Sequence, residues 1–472
     1  MSNPLKSAIY FIGGLLFICQ SLLIHAQTKN KNDVPPISTL RAEESYVFLQ
    51  NKDSANRTAI FLKPLKWISL GKHVHLTLGG EYRARLEHFT NRNYTTEDET
   101  FYSQRLSLHA SLRLGTKIRL FGEVYHGYVS NGNQLLESDE LDLHQAFVEW
   151  NILQKNNTLI SFRAGRQEIG YGTSRLIGIR EGPNLRRSFD MARLILQQGK
   201  AFLNFLYGRE TNINFYAFDN TSNIFEAQGN SPILWGVYWQ RPLPSDIRKL
   251  DIYYFGFKSN LAQFNDVLGE ELRHSLGIRS YGKLGRFSYN TELIYQFGTI
   301  NNAHIAAFNL EADWKFLLAK KGWKPMLGIK LDWSSGDESV GDGKIQTFNP
   351  MFVNPATYSL AAVNTPANIT SFHPNITLTP AKGLVILIDY ALFYRTQTAD
   401  GVYVPPRFLT RPANGSTDKH IGDVVGLQIR YDLHRNIAFD VRSSYFIPGK
   451  FLKDSGATES TFYIAPTLSL KF

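Results

Sequence analysis

Long stretches of this chain alternate between apolar and polar residues with a period of two. In the stretch 73–87, every second residue from Val74 to Leu86 is apolar or small, and the residues between them include Glu81, Arg83 and Arg85. Successive side chains of a β-strand point to opposite faces, so each such strand has one apolar and one charged face. The apolar faces can form the core of a soluble sandwich or face the lipid around a membrane barrel.

The same pattern, together with turn residues, predicts eighteen strands. An aromatic content of 13% and 36 glycines favour strands over helices. The predicted strands span 73–87, 105–114, 118–128, 142–152, 158–168, 189–199, 201–209, 233–241, 249–259, 272–282, 285–298, 303–317, 323–336, 371–381, 383–398, 419–432, 435–447 and 460–472.

The lengths of the connections favour the membrane barrel. Tight turns alternate with long connections, and only 299–302 is short where a long one is expected. Bacterial barrels have short periplasmic turns and long outer loops, whereas a sandwich has no reason to sort its loops. The long connections are predicted at 90–101, 129–141, 169–188, 209–232, 260–271, 337–370, 399–418 and 449–459.

The N-terminus predicts export. Lys6, the apolar run 9–23 and Ala26 form a signal peptide over 1–26, and no later apolar run approaches the length of a spanning helix. The only cysteine, Cys19, lies inside this signal, so packing and strand pairing alone must hold the mature chain. We therefore predict an all-β, transmembrane antiparallel β-barrel in the outer membrane of a Gram-negative bacterium. A periplasmic lead-in over 27–66 precedes the barrel over 67–472, whose terminal Phe472 suits recognition by barrel-assembly machinery.

An arginine-rich stretch interrupts the strand pattern between Gly165 and Leu194. Its glycines and Pro183 exclude a regular helix or central strand and predict a constrained loop over 169–188. Folded inward, this loop would narrow the pore and present guanidinium groups to carboxylates. The alternative is a structural latch formed by internal ion pairs. The stretch contains Arg166, Arg175, Arg180, Arg186, Arg187 and Arg193, with the acids Glu168, Glu181 and Asp190.

A second set of arginines lies on the charged faces of the predicted strands. These residues could line the pore, or they could form a salt-bridge lattice with glutamates such as Glu81 and Glu149 that stiffens the barrel. The set comprises Arg83, Arg85, Arg105, Arg113, Arg119 and Arg163.

Other candidate sites are weaker. Asp337 and Asp342 lie among glycines and could hold calcium, but their spacing does not follow an EF-hand, so an acidic turn is the preferred interpretation. Ser174 and Ser188 have no spaced base or nucleophile elbow, so we predict no enzyme activity and no cofactor. Basic residues interleaved on strands rather than clustered on a helix argue against nucleic acid as a partner.

Three segments resemble the alginate export protein family. They are the arginine-rich block from Arg166 to Arg193, the strand 79–87 that begins Gly-Gly-Glu-Tyr-Arg, and the segment from Ser335 to Pro350. The resemblance extends from about residue 40 to the end of the chain. The sequence departs from the family pattern at Met191, where glycine is expected, which affects the local geometry next to the loop.

The resemblance implies an eighteen-stranded outer-membrane barrel that passes a polyuronate through an arginine-lined constriction. We therefore predict a channel for an anionic solute, with export of an acidic, uronate-type polysaccharide as its function. Such export would need an inner-membrane synthase and a periplasmic scaffold as partners. The alternatives are a general or nutrient porin for small anions and, less favoured, an enzyme on a barrel.

Overall fold

The computed structural model describes residues 37–51, 62–92, 96–132, 136–221, 231–243, 247–354, 364–404, 408–456 and 458–472. The predicted signal peptide, 1–26, lies outside the described residues. Within them, eighteen antiparallel strands close into a barrel. These strands are Val74–Thr90, Glu99–Leu114, Ile118–Ser130, Asp139–Lys155, Thr158–Gln167, Phe189–Gln198, Ala201–Glu210, Ile233–Pro242, Arg248–Phe264, Val267–Leu284, Phe287–Ile300, Ala303–Leu317, Met326–Ser334, Ile369–Ala381, Leu384–Arg395, His420–His434, Ile437–Pro448 and Thr461–Lys471.

The barrel closes by pairing its first strand with its last, in a register that runs from Glu81 opposite Lys471 to Thr90 opposite Phe462. Closure leaves no open edge, so the ladder satisfies the backbone polar groups of every spanning strand. The short connections lie at the end that carries the first residue of the first strand and the last residue of the last. The long connections 168–188, 211–232, 335–368 and 396–419 lie at the opposite end, as the sequence predicts.

Short elements accompany the barrel. The strand Ile68–Gly71 extends the sheet beside the first barrel strand, Lys344–Ile345 pairs in parallel with the twelfth, and Val402–Val404 pairs with Phe408–Arg411 in a separate hairpin. Among the described residues, three 3-10 helices span Arg41–Glu43, Val47–Gln50 and Lys63–Lys66, and one α-helix spans Lys450–Ser455. None of the helices in the described ranges has the length and apolar character needed to cross a bilayer.

One predicted long connection is wrong. Residues 260–271 were expected to form an outer loop, but the strands Arg248–Phe264 and Val267–Leu284 continue to a tight turn at Asn265. The polar residues of this segment indicated a loop. They instead extend the hairpin, and Asn265 takes the left-handed conformation, with φ of 42°, that a two-residue turn requires.

The two faces of the wall differ as the alternation predicts. Leu106 and Leu108 point outward with 41% and 46% of their surface exposed, whereas Arg105 and Ser107 point inward and are buried. The charged face is therefore the lumen face in the first strands.

The inner wall is not charged all round, which the sequence analysis did not predict. Tyr253, Phe255 and Phe257 point inward on the ninth strand and belong to one buried cluster that includes residues of the long loops. Met191, the departure from the family pattern, is buried in the same cluster and pairs with Gly165 on one side and Gly208 on the other. A Cβ atom at Gly208 would lie 2.2 Å from Cβ of Met191, so the glycine there leaves the space that methionine needs.

Candidate constriction in the barrel lumen

The loop between the fifth and sixth strands, residues 168–188, folds into the lumen and reaches the opposite wall. Its first half forms a narrow turn, in which Tyr171 bridges to Ile177. Gly172 has φ of +62°, and a Cβ atom there would lie 2.2 Å from a carboxylate oxygen of Glu292 on the eleventh strand. Glycine is therefore required both by the turn and by the close approach to the wall.

Arg175 fixes the tip of this loop to the far wall. Its guanidinium group binds Asp332 in a two-pronged way, with Nε to Oδ1 at 3.0 Å and Nη2 to Oδ2 at 3.2 Å, and contacts Glu311 at 3.2 Å. All three side chains are buried. Thr173 adds a backbone hydrogen bond of 3.1 Å to Glu292. The loop thus spans the lumen and is held at both ends.

The loop also pairs with the second long loop, 335–368. Ile177 forms a parallel bridge with Phe352, the amide of Gly178 donates to the Phe352 carbonyl at 2.9 Å, and the Phe352 amide donates to the Leu176 carbonyl at 2.8 Å. The Phe352 ring packs edge-on against Phe189 at 5.0 Å. The apolar inner wall therefore holds two loops together inside the barrel.

The returning half of the loop lies against arginines of the first two strands. Arg83 donates to the Glu181 carbonyl at 2.8 Å, and Arg105 binds Glu181 at 2.8 Å and Glu81 at 2.6 Å. Arg186 forms a further ion pair with Glu181. Burial alone would raise the pKa of Glu181, but Arg105, Arg186 and Arg83 outweigh it and hold that pKa well below the ordinary value. Glu181 is therefore the anionic centre of a group of guanidinium ions.

Arg85 joins the same group from the first strand. It donates to the carbonyl of Gly182 and forms an ion pair with Glu87 at 2.6 Å. Arg187, on the loop, binds Glu210 at 2.7 Å and donates to the carbonyls of Gly178 and Phe352. Most loop and wall arginines thus have carboxylate partners, and many of these partners come from outside the loop.

Arg180 differs from its neighbours. It has a left-handed backbone with φ of 55°, and its guanidinium donates only to the carbonyls of Leu185, at 3.2 Å, and Arg186, at 3.4 Å. Within the described ranges, no carboxylate lies in ion-pair distance of it. Burial and the charge of Arg187 lower the pKa of Arg180 to about 10, so it keeps its proton at neutral pH. Arg180 is a half-buried cation with an unmatched charge.

The base of the loop contains the other two predicted latch acids. Asp190 binds Arg166 at 2.9 Å, and Asp142 lies 3.5 Å from the same arginine. Glu168 lies 2.9 Å from Nε2 of His144 and 3.5 Å from Arg186. Each of the three predicted acids therefore contacts at least one predicted arginine.

The N-terminal segment also enters the lumen. The Thr39 carbonyl accepts from Arg186 at 2.9 Å, and the Ala42 carbonyl accepts from Arg119 at 2.7 Å. Glu43 binds Arg163 at 2.8 Å, and Arg193 lies 3.9 Å away from it. The sequence analysis placed the lead-in against the end of the barrel. The described part, 37–51, continues inside it and contacts the constriction loop.

Two groups of predicted residues lie outside this constriction. Arg113 lines a small cavity with Arg41, Glu44 and Tyr46, and no carboxylate of the described chain lies within ion-pair distance of it. Asp337 is buried, with its backbone amide bonded to Asp400 at 3.0 Å, whereas Asp342 is exposed and accepts from the Lys344 amide at 2.8 Å. The structure does not bring these two aspartates into one ligand set.

The sequence analysis missed three functional groups of residues. They are the far-wall acids Asp332 and Glu311, the aromatic inner wall, and Glu123 and His144, which form a buried cluster with the predicted acid Glu168. The aromatic wall has a signal in the sequence, since residues 252–257 are apolar or small on both faces. The other two groups have no such signal. Asp332 and Glu311 meet Arg175 only across the closed barrel, and the cluster forms only when three consecutive strands pair in register.

Comparison with known proteins assigns the class. The barrel resembles solved outer-membrane channels. It superposes on OpdQ of Pseudomonas aeruginosa with a TM-score of 0.55 at 11% identity, covering 84% of this chain and 98% of that one. It superposes on OccAB1 of Acinetobacter baumannii with a TM-score of 0.52 at 12% identity, covering 84% of this chain and 97% of that one. For Pseudomonas aeruginosa OccK2 (OpdF), solved in complex with glucuronate, the TM-score is 0.53 at 13% identity, and the match covers 84% of this chain and 98% of that one. The fold is that of an outer-membrane β-barrel.

Sequence comparison then gives the family. Residues 74–465 match the family described as alginate export, so the chain belongs to the alginate export family. A search of curated proteins finds no match. The family and the fold are those of outer-membrane channels and porins of Gram-negative bacteria, not of enzymes, and they confirm the predicted barrel and its location.

Proposed function

We propose that this channel passes solutes that carry carboxylates, and that its cargo is an acidic, uronate-type polysaccharide moving outward. The observation that carries the proposal is a loop that crosses the lumen with Arg180 and Arg186 on it and with Arg83 and Arg105 of the wall against it. Guanidinium groups keep their charge and bind carboxylates through two parallel hydrogen bonds. Fixed cations in a narrow pore lower the energy of a partly dehydrated anion.

The ion pairs of the lumen support passage by exchange, in which a carboxylate of the solute replaces an internal carboxylate on an arginine. Glu181 already occupies the guanidinium groups of Arg105 and Arg186, and Asp332 occupies that of Arg175. A passing uronate offers the same chemical group, so it can take the place of the internal carboxylate and keep the guanidinium group paired. Arg180, which has no carboxylate of its own in the described structure, would make the first contact. The glucuronate complex of the similar barrel OccK2 is consistent with a uronate as ligand.

A porin for small anions is the second candidate, and one observation favours it. The loop 168–188, the loop around Phe352 and the N-terminal segment 37–51 all enter the lumen, and most arginines that contact them are buried. A small anion needs less movement of these segments than a polymer does. Polymer export would also need partners, an inner-membrane synthase and a periplasmic scaffold, whereas small-anion passage would not.

Planar-bilayer recording of the refolded mature protein tests both candidates. We expect anion selectivity, measured as the reversal potential in a salt gradient, and current block by polyuronate but not by a neutral polymer of equal length. Arg180→Gln should reduce both the selectivity and the block, because it removes the unmatched cation without breaking an ion pair. Arg442→Gln is the matched control, since Arg442 is a wall arginine already paired with Asp440 at 2.9 Å.

The outcomes separate the candidates. Anion selectivity without polymer block would favour the porin for small anions. Cation selectivity, or equal effects of the Arg180 and Arg442 variants, would contradict the role proposed for the constriction arginines.

A further inference from the structure

A buried cluster of two carboxylates and one imidazole lies beside the base of the constriction loop. Glu123 comes from the third strand and His144 from the fourth, and Glu168 is the first residue after the fifth. One potential ligand atom from each of the three lies within 4.8 Å of the other two. All three residues are buried, with exposures of 1% for Glu123, 6% for His144 and 3% for Glu168.

Half of the carboxylate oxygens in this cluster have no hydrogen-bond donor. Glu168 Oε1 lies 2.9 Å from His144 Nε2, and Glu123 Oε2 accepts from the Gln145 side chain at 2.6 Å. Among the described residues, the other oxygens, Oε1 of Glu123 and Oε2 of Glu168, are buried without a hydrogen-bond partner, and Arg186 lies 3.5 Å from the latter. Two buried carboxylates next to each other are unfavourable unless a positive charge is shared between them.

We propose that Glu123, His144 and Glu168 bind a divalent transition-metal ion, with Zn²⁺ as the best match. One imidazole and two carboxylates are a ligand set used by zinc sites, and the mixed N and O donors argue against calcium and magnesium, which take oxygen ligands. Two carboxylates balance the charge of the ion. This site is independent of the nature of the solute and goes beyond the proposed function.

Neighbouring groups already orient these ligands. The Tyr125 ring stacks on the His144 imidazole at 4.0 Å between centroids. The Gln145 side chain connects the Glu123 carboxylate to the backbone of Glu168, since its Nε2 donates to Glu123 Oε2 and its Oε1 accepts from the Glu168 backbone amide at 3.0 Å. Such outer contacts fix the orientation of metal ligands in known sites.

A metal ion here would control the constriction loop. Glu168 begins the loop, whereas Glu123 and His144 are fixed in the barrel wall, so the ion would tie the loop to two strands. It would also hold Glu168 apart from Arg186 and leave that arginine to Glu181. We therefore infer that metal binding stabilises the crossed position of the loop.

The test uses the refolded mature protein, stripped with a chelator and titrated with Zn²⁺ by calorimetry. We expect one equivalent to bind, and Glu123→Gln or His144→Gln to weaken binding by about 10-fold or more, as loss of even outer contacts weakens metal sites 10- to 100-fold. Co²⁺ in place of Zn²⁺ should give the visible absorption of a low-coordinate site, and both variants should lose it. Heat-dependent migration on gels checks that each variant forms a barrel.

His373→Gln is the matched control. His373 is a buried lumen histidine that lies 3.3 Å from Asp389, outside the cluster, so this variant should keep full Zn²⁺ binding. If the wild-type protein takes up no stoichiometric Zn²⁺, the proposal is overturned. A proton shared between the carboxylates of Glu123 and Glu168 would then account for their close approach. Binding that survives in both the Glu123 and His144 variants would overturn it as well, because the ion would then lie elsewhere.

Discussion

Replacing Arg175 by methionine should release the constriction loop. The side chain is fully buried and supplies the guanidinium group that faces both Asp332 and Glu311. Removing one partner of a buried ion pair costs about 3–5 kcal/mol, because the remaining charge is left uncompensated. Lys330, 3.9 Å from Asp332, can take over part of the pairing, so we expect the lower value, about 3 kcal/mol.

That free energy acts on the equilibrium between the crossed loop and a released loop. At 1.4 kcal/mol per factor of ten, 3 kcal/mol raises the ratio of released to crossed loop by about 150-fold. The backbone bridge between Ile177 and Phe352 remains, so part of the loop should stay in place.

Two measurements detect the release of the constriction loop. Hydrogen exchange of peptides from 168–188 should become faster in Arg175→Met, and single-channel recordings should show longer visits to high-conductance levels. Arg175→Lys should lie between wild type and Arg175→Met, because it keeps the charge but loses the two-pronged geometry. If exchange and conductance of Arg175→Met match those of the wild type, the ion pair does not hold the loop and the reasoning is refuted.

Three further predictions concern other parts of the lumen. Deleting residues 27–51 should raise the single-channel conductance without loss of heat-dependent gel migration. The reason is that the described part of this segment lies in the lumen and outside the strand ladder. An unchanged conductance would show that the segment does not narrow the pore. Burial raises the pKa of Asp337 to about 6, above the value of about 3.9 for an exposed aspartate, so the packed loop favours the protonated carboxyl group. Packing of this loop should therefore be complete below pH 4 and weaken by on the order of 2 kcal/mol as the pH rises through 6. Hydrogen exchange of 335–350 should follow this trend, and Asp337→Asn should abolish it. Gly165→Ala should destabilise the barrel by about 3 kcal/mol in urea unfolding, because φ is 128° there and a Cβ atom would lie 2.3 Å from the Ala146 carbonyl oxygen; wild-type stability would contradict this.

The barrel was predictable from the sequence because its signals are local. The period of two depends only on neighbouring residues, and the lengths of the connections can be read directly from the sequence. The number of strands and the side of the membrane on which each loop lies follow from these two signals. The long outer loop predicted at 260–271 was wrong for the same local reason. Asn260, Gln263 and Asn265 look like loop residues, but they continue two paired strands and close a turn.

The partners of the constriction arginines were not predictable. Arg175 and Asp332 are separated by 157 positions, and only the register of the closed barrel brings them together. The arginine-rich stretch contains six arginines and three acids, but the wall supplies further acids such as Glu210 and Glu311, which a count within the stretch does not include. Arg180 keeps an unmatched charge in the described structure because its short left-handed turn directs it to backbone carbonyls.

The balance of charge in the lumen bears on how a carboxylate polymer could pass. Where internal carboxylates already occupy the guanidinium groups, an incoming uronate must displace them. The guanidinium group stays paired in this exchange, but a displaced buried carboxylate such as Asp332 loses its partner, which costs about 3–5 kcal/mol. A single small anion can displace one pair at a time, but the remaining pairs and the backbone bridge at Phe352 still hold the loop. A chain of linked uronates competes for several pairs at once, because binding the first residue raises the effective concentration of the next. We therefore expect channel opening to depend steeply on the length of the uronate chain.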